Sequence, residues 1–557
     1  MARQLTRRDF LQFTAMGASA AALAACAPAG TPGTAPASTT AAEAGAAAST
    51  TGGGTLVFGY AQKTTYGNLC APWFYAGSQD LYQRRLAYSG LIQWNSDFSD
   101  FLPDLAESWT FDGNTCTFNL RKNVKWHDDA DFTAEDVLFS FLIIGHPDSL
   151  WTSPDTLSTM IVGFKEYREG TVEEISGITA PDNFTVVFEL TEAYRQPFLS
   201  AIATYTVNPK HLLDEKSLDE LLPEEGLCKT EWALETGIGT GPFKVVNYVP
   251  DQFVEFERNE NYYRGEIQLD KLIYNAYTDG QAQAAALESG ECHVGTIPAS
   301  EYARFQEMDH VDILLNDGLA NTAFFFNANT IEEKVRQAMW WAVDCQAIVD
   351  TFYYGTTSVP GAIFEYGGFG VGPDVPQYSY DPEKAKALLE EAGWDGSRTL
   401  RFMVESIDPN NEALYSLVLG YWKEVGINVE YQVVGAEYGN IQLEPEGTDI
   451  LYSGQVWGAD PSDGVKAYLN VPNKFPYLDI PEAAEIINQI NLSEDTEEIK
   501  QGVYRLQEIG SETACILPIA RSPGIWVVNK KVKGGLSPIY ALWTRNDWQW
   551  ENITVEG

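Results

Sequence analysis

Residues 102–137, LPDLAESWTFDGNTCTFNLRKNVKWHDDADFTAEDV, carry the pattern from which the fold can be read. Glu107 to Phe111 and Thr115 to Arg121 alternate apolar and polar side chains around Asp112-Gly113-Asn114. A period of two on either side of a Gly-containing turn predicts a β-hairpin. Thr133 then stands three residues ahead of Asp136. That spacing predicts a helix capped by Thr133, with the acid placed to serve its first turn. Strand, turn, strand and helix in so short a span indicate a mixed α/β protein.

The same reading extends outward. Gly54–Tyr60 and Gly90–Trp94 read as strands, and Asp80–Ser89 as a helix after a loop containing Trp73, Phe74 and Tyr75. Hairpins are predicted at 177–190 and around Pro250-Asp251, and helical spacing runs from Lys334 to Asp350. Asp381 to Gly393 has an N-capping acid, proline at the first helical position and glycine at the end, which predicts a well-bounded helix. No short-period repeat is present.

The N-terminus reads as an address. Arg3, Arg7 and Arg8 precede a small-residue apolar segment, Phe13–Ala25. That segment falls well short of the roughly 20 residues of a permanent membrane span, so it is expected to be a cleaved signal. Thr6-Arg7-Arg8-Asp9-Phe10-Leu11 has the paired arginines of twin-arginine export signals. Leu23-Ala24-Ala25-Cys26 resembles a lipobox, with Cys26 the residue that would be lipidated. Residues 26–53 are the lipidated cysteine and a tether of Ala, Gly, Ser, Thr and Pro, too poor in apolar surface to offset its ordering entropy.

Composition narrows the function further. A net charge of −42 would repel phosphate backbones and excludes nucleic acid as a partner. The six cysteines other than Cys26 allow fifteen complete pairings, and no CxxC is present, so buried free thiols stand as an alternative to bridges. The five histidines lack metal-ligand spacing, and no H-E-x-x-H, G-x-S-x-G or P-loop occurs. The chain is therefore expected to be no enzyme and to hold no cofactor, metal or catalytic residue. Acidic pairs such as Asp128-Asp129 and Glu390-Glu391 keep a lipid-anchored hydrolase as the alternative of a different class.

Several blocks in order resemble the solute-binding proteins of family 5, the dipeptide, oligopeptide and nickel receptors of ABC importers. They are Leu102–Trp109, Phe118–Asp128, Phe132–Val137, Gly239–Phe243, Glu257–Tyr263, Ala286–Glu291, Phe326-Asn327, Val335–Ala338 with Ala342–Asp344, and Tyr380–Pro382. The resemblance spans Gly54 to Gly557. It implies a two-lobed α/β fold of the periplasmic-binding-protein type (class II) with an inserted third subdomain. By analogy, lobe I comprises 54–92, 205–315 and 520–557, the inserted subdomain 93–204, and lobe II 316–519. It further implies a monomeric receptor on the outer face of the cytoplasmic membrane that delivers its ligand to permease subunits.

The resemblance also implies a ligand site. Gln455–Asp463 matches a W-x-x-D element lining the cleft of peptide-binding relatives, with Trp457 as the aromatic, Gly458 in the backbone that pairs with an extended ligand, and Asp460 as partner of a peptide ammonium. Asp460 has the plainer alternative of capping a turn before Pro461. Gly464 stands where relatives usually carry proline, so the local loop departs from the pattern. Tyr438 and Phe74 fall where cleft aromatics are expected. With 15 Trp, 28 Tyr and 27 Phe in the chain, most aromatics must serve the core. The same abundance suits sugar stacking, so an oligosaccharide is the alternative ligand, with Asp460 accepting from hydroxyls.

Overall fold

The computed structural model describes residues 53–61, 85–95, 100–147, 154–213, 237–249, 252–316, 320–363, 369–404, 409–435, 447–456, 469, 475–522, 524–534 and 550–556. Strand β1 is Thr55–Ala61, with Leu56 and Phe58 fully buried. The short antiparallel pair β2 (Ile92–Trp94) and β3 (Phe101–Pro103) leads into a four-stranded antiparallel sheet. Its strands are β4 (Ala106–Asp112), β5 (Thr115–Leu120), β6 (Ile178–Asp182) and β7 (Thr185–Glu189), in the order β4-β5-β7-β6. The predicted hairpin is β4–β5, turning on Gly113 with a φ of 61°. Alternation along β5 sends Cys116, Phe118 and Leu120 inward. There Phe118 meets Phe188 at 5.7 Å, and Phe188 meets Phe141 of the helix Ala134–Gly145 at 5.1 Å. That helix begins as its sequence indicates: the Thr133 N–H donates to Asp136 Oδ2 at 2.8 Å.

Strands β8 (Phe243–Val249) and β9 (Phe253–Arg258) form the second predicted hairpin, followed by β10 (Lys271–Tyr277), β11 (Val294–Thr296) and β12 (Val311–Asn316). The chain then builds a second large sheet from β13 (Ala320–Phe326), β14 (Thr399–Val404), β15 (Asn428–Val433), β16 (Ile450–Val456) and β17 (Ile516–Arg521), and returns as β18 (Gly524–Asn529). The seven-stranded sheet has the order β12-β18-β11-β1-β10-β9-β8, and the five-stranded sheet the order β15-β14-β16-β13-β17. Strand β13 carries Phe324-Phe325-Phe326, all three buried in the core of the second large sheet. The five-stranded sheet, the four-stranded sheet and the seven-stranded sheet each have their own apolar clusters. The result is a two-lobed α/β protein in which the four-stranded unit is an inserted subdomain.

The 334–350 periodicity is met by two helices, Glu333–Trp341 and Cys345–Thr351, rather than by one. The break falls at Asp344, whose carboxylate accepts the Ala347 N–H at 2.9 Å. An aspartate that captures a backbone N–H in this way favours a helix start over a helix interior. The helix Pro382–Glu391 has the predicted cap, with Asp381 Oδ1 accepting from the Lys384 N–H at 2.9 Å. Asp381→Ala should lower stability by about 1 kcal/mol, read from urea unfolding, because one helix donor loses its acceptor. Of the helix expected at 80–89, the described part is helical at Arg85–Ala87. Cys116, Cys292, Cys345 and Cys515 are free thiols. Burial pushes the Cys515 thiol up to about 11, so it stays protonated and unreactive at neutral pH.

Candidate ligand site

Several of the sequence blocks are joined in space through buried polar groups. His127 is buried between backbone groups: its Nδ1 accepts the Gly239 N–H at 3.1 Å, and its Nε2 lies 3.1 Å from the Gly241 carbonyl. Those two partners require the tautomer with hydrogen on Nε2. The His127 N–H donates to the Gly239 carbonyl at 2.9 Å, and Lys244 Nζ donates to the His127 carbonyl at 3.0 Å. Burial lowers the His127 pKa to about 4, so the ring is neutral. Asn259 joins from the next block, its Nδ2 donating to the Gly241 carbonyl at 2.9 Å. A Cβ on Gly239 would fall 1.8 Å from the Ala87 carbonyl oxygen, which is why glycine occupies that position.

Asp104 makes a second joint. Its carboxylate accepts from the Gly90 N–H and from the Tyr263 hydroxyl, while Arg121 Nε donates to its carbonyl at 2.6 Å. Burial, and then the neighbouring Asp104 charge, hold the Tyr263 hydroxyl well above its usual range. These blocks fasten the inserted subdomain to the first lobe. His127 thus serves the structure, its ring holding the Gly239 and Gly241 backbone groups. Three of the four acids in the acidic pairs are also engaged: Asp128 accepts from His211 Nε2 at 2.8 Å, Asp129 from Asn261 Nδ2 at 2.9 Å, and Glu391 from Lys334 Nζ at 2.9 Å. Burial works to raise the Asp128 carboxyl, but hydrogen bonds from His211 and the Ala130 N–H outweigh it and hold it below its usual range. Among the described residues, no group of three or more His, Cys, Asp and Glu is placed to hold a metal ion.

The two large sheets are joined at one edge by both crossings of the chain. The chain leaves the first lobe after Asn316, which pairs with Gly524, and enters the second at β13, where Asn321 pairs with Arg521. The outward and return crossings therefore run side by side. Strands β1, β10, β11 and β12 are mutually parallel, and β12 ends at this edge. In the second sheet β14, β15 and β16 are parallel, and β16 ends at Val456 opposite Ala320, again at this edge. The carboxyl ends of both sets of parallel strands thus point toward the junction of the lobes, the position at which open α/β sheets take ligands.

Trp457, Gly458, Asp460, Tyr438, Phe74 and Cys26 lie outside the described residues. The strands that precede three of the candidate segments are described: β16 ends one residue before Trp457, β15 ends before Tyr438, and β1 ends before Phe74. All three end at their sheet's junction-facing edge. The described residues there include Asn321 and Thr322, buried polar side chains at the start of β13 that the sequence reading passed over. Their signal was an Asn-Thr pair opening an otherwise apolar strand, where a wholly apolar start would be ordinary.

Comparison with known proteins bears on this arrangement. Residues 100–475 match the model of the bacterial extracellular solute-binding proteins, family 5. The Escherichia coli dipeptide-binding protein is 27% identical over 499 residues, covering 84% of this chain and 89% of that protein. Heme-binding protein A of Haemophilus influenzae is 28% identical over 490 residues, covering 82% and 85%. The oligopeptide-binding protein AppA of Bacillus subtilis, solved with a nonapeptide, superposes with a TM-score of 0.73 at 20% identity over 90% of this chain and 99% of that one. No helix among the described residues is long and apolar enough to cross a membrane. With two lobes, an inserted subdomain and strand ends converging on their junction, this chain belongs to family 5 of the bacterial extracellular solute-binding proteins.

Proposed function

We propose that this protein is the receptor of an ABC importer, capturing dipeptides or oligopeptides between its lobes and handing them to membrane permease subunits. The observation that carries this reading is the convergence of the carboxyl ends of β1, β15 and β16 on the lobe junction, the strands that precede Phe74, Tyr438 and Trp457–Asp460 in sequence. Enclosure between two lobes expels water and strengthens the few polar contacts that orient a peptide. Lobe I comprises about 54–92, 205–315 and 520–557, the inserted subdomain about 93–204, and lobe II about 316–519, with Asn316 closing the first lobe's β12 and Arg521 the second lobe's β17. The receptor is a monomer without catalytic activity, exported through its paired arginines and held at the outer face of the cytoplasmic membrane by lipid on Cys26. The peptide-binding relatives support the ligand class, and the heme-binding relative makes a ligand panel necessary.

The test is thermal stabilisation of the purified protein against peptides, oligosaccharides and haem. A peptide at a hundred times its Kd should stabilise the fold by about 2.7 kcal/mol, with no product formed. Stabilisation by oligosaccharide or haem alone would refute the peptide assignment, and turnover of a peptide or glycoside would refute the receptor role.

A further inference from the structure

The lobes also touch at a second place, through side chains and with no strand passing between them. The helix Arg195–Ile202 belongs to the inserted subdomain, where Phe198 and Leu199 enter its core. The helix Pro481–Leu492 belongs to the second lobe, where Ile487 and Ile490 enter a different core. These two helices are in contact, and Arg195 Nη2 lies 2.8 Å from Glu494 Oε1. The guanidinium is held over the Phe111 ring at 5.3 Å, and Phe111 in turn packs edge-on against Phe198.

Helix stability does not explain the arginine. Arg195 is the first residue of its helix, where the partial positive charge of the helix end disfavours a cation, and no side chain caps that end. Glu494, by contrast, stands just before Asp495, the N-cap of the helix Thr496–Thr513, where an anion is favoured. The cation is placed at an unfavourable helix end of one lobe, facing an anion at a favourable helix end of the other. In a chain with 78 acidic against 36 basic residues, one Arg seated on an aromatic ring and aimed at the opposite lobe is a selective use of positive charge. The side chains remain 35% and 62% exposed, so the contact is polar and wet, and it can part without uncovering a core.

We infer that Arg195 and Glu494 form a clasp that holds the inserted subdomain against the second lobe and biases the protein toward its closed arrangement. The clasp lies beyond the ligand reading and is independent of which solute is bound. Both crossings lie at one junction, and the clasp supplies a separate contact that breaks when the lobes part. A partly exposed pair of this kind shifts such an equilibrium about two- to fivefold, enough to tune closure without preventing release.

Hydrogen exchange of the full-length protein, read by peptide-resolved mass spectrometry, tests this. Arg195→Glu should raise exchange about two- to fivefold in residues 481–497, almost three hundred positions away in sequence. Glu494→Arg should do the same in residues 194–202, and the double exchange Arg195→Glu with Glu494→Arg should restore both. Raising salt from 0.1 M to 1 M should loosen the wild type and leave Arg195→Gln unchanged. Arg195→Gln removes the charge without repulsion and gives the same readout if the reversal impairs folding. Changes confined to the mutated helix, or a double variant no better than the singles, would overturn the clasp.

Discussion

Replacing Asp460 by asparagine is expected to weaken peptide binding a hundredfold or more, that is by about 3 kcal/mol or above, with the fold unchanged. The size follows from desolvation. Closure would bury the peptide ammonium against the Asp460 carboxylate, and removing one member of a buried ion pair leaves the other without compensation. Asparagine keeps the shape and one acceptor oxygen but not the charge. Titration calorimetry with a peptide found in the thermal screen is the measurement, and N-acetylated peptide is the control. The acetylated ligand lacks the ammonium, so it should bind the wild type as poorly as free peptide binds the variant. The variant should then discriminate little between the two. Equal affinity of wild type and Asp460→Asn for free peptide would remove the assigned role, leaving Asp460 as a turn residue before Pro461.

The second large effect concerns stability and pH at His127. Its folded-state pKa of about 4 lies below the value of about 6.5 expected in an unfolded chain. Because the shift is downward, the unfolded chain takes up the proton first as pH falls. The stability associated with the neutral ring is present above about pH 6.5 and is lost progressively toward pH 4. Between pH 7 and pH 5 this one group should remove about 2 kcal/mol of stability. Urea unfolding at the two pH values, compared between wild type and His127→Gln, isolates the contribution, since glutamine does not titrate. A variant losing as much stability as the wild type over that interval would show that His127 is not the titrating group. His127→Ala should in addition cost about 3 kcal/mol at pH 7, because the Gly239 N–H loses its buried acceptor, the Gly241 carbonyl keeps only Asn259, and the missing ring leaves a cavity.

Which features were legible in the sequence follows from the range of the interactions that make them. The β4–β5 hairpin, the Thr133–Asp136 start and the Asp381 cap were all predictable, because each joins residues only a few positions apart. The 334–350 spacing does not show the break within it, because periodicity alone does not reveal a side chain that turns back to cap, as Asp344 does. The candidate ligand residues came from resemblance rather than from local physics. The structure describes only the strands β1, β15 and β16 that precede them in sequence.

By itself, the sequence determined the mixed α/β class, the strongly acidic net charge and the local boundaries of strands and helices. These depend on composition, on periods of two and 3.6, and on contacts within a turn. The tertiary structure alone decided that His127 locks Gly239 and Gly241, that Asp104 receives Tyr263, and that Arg195 reaches Glu494. It also decided that parallel strands from two sheets end at one junction. Those arrangements join residues that are distant along the chain, and only the packing of separate cores against one another brings such residues within hydrogen-bonding distance.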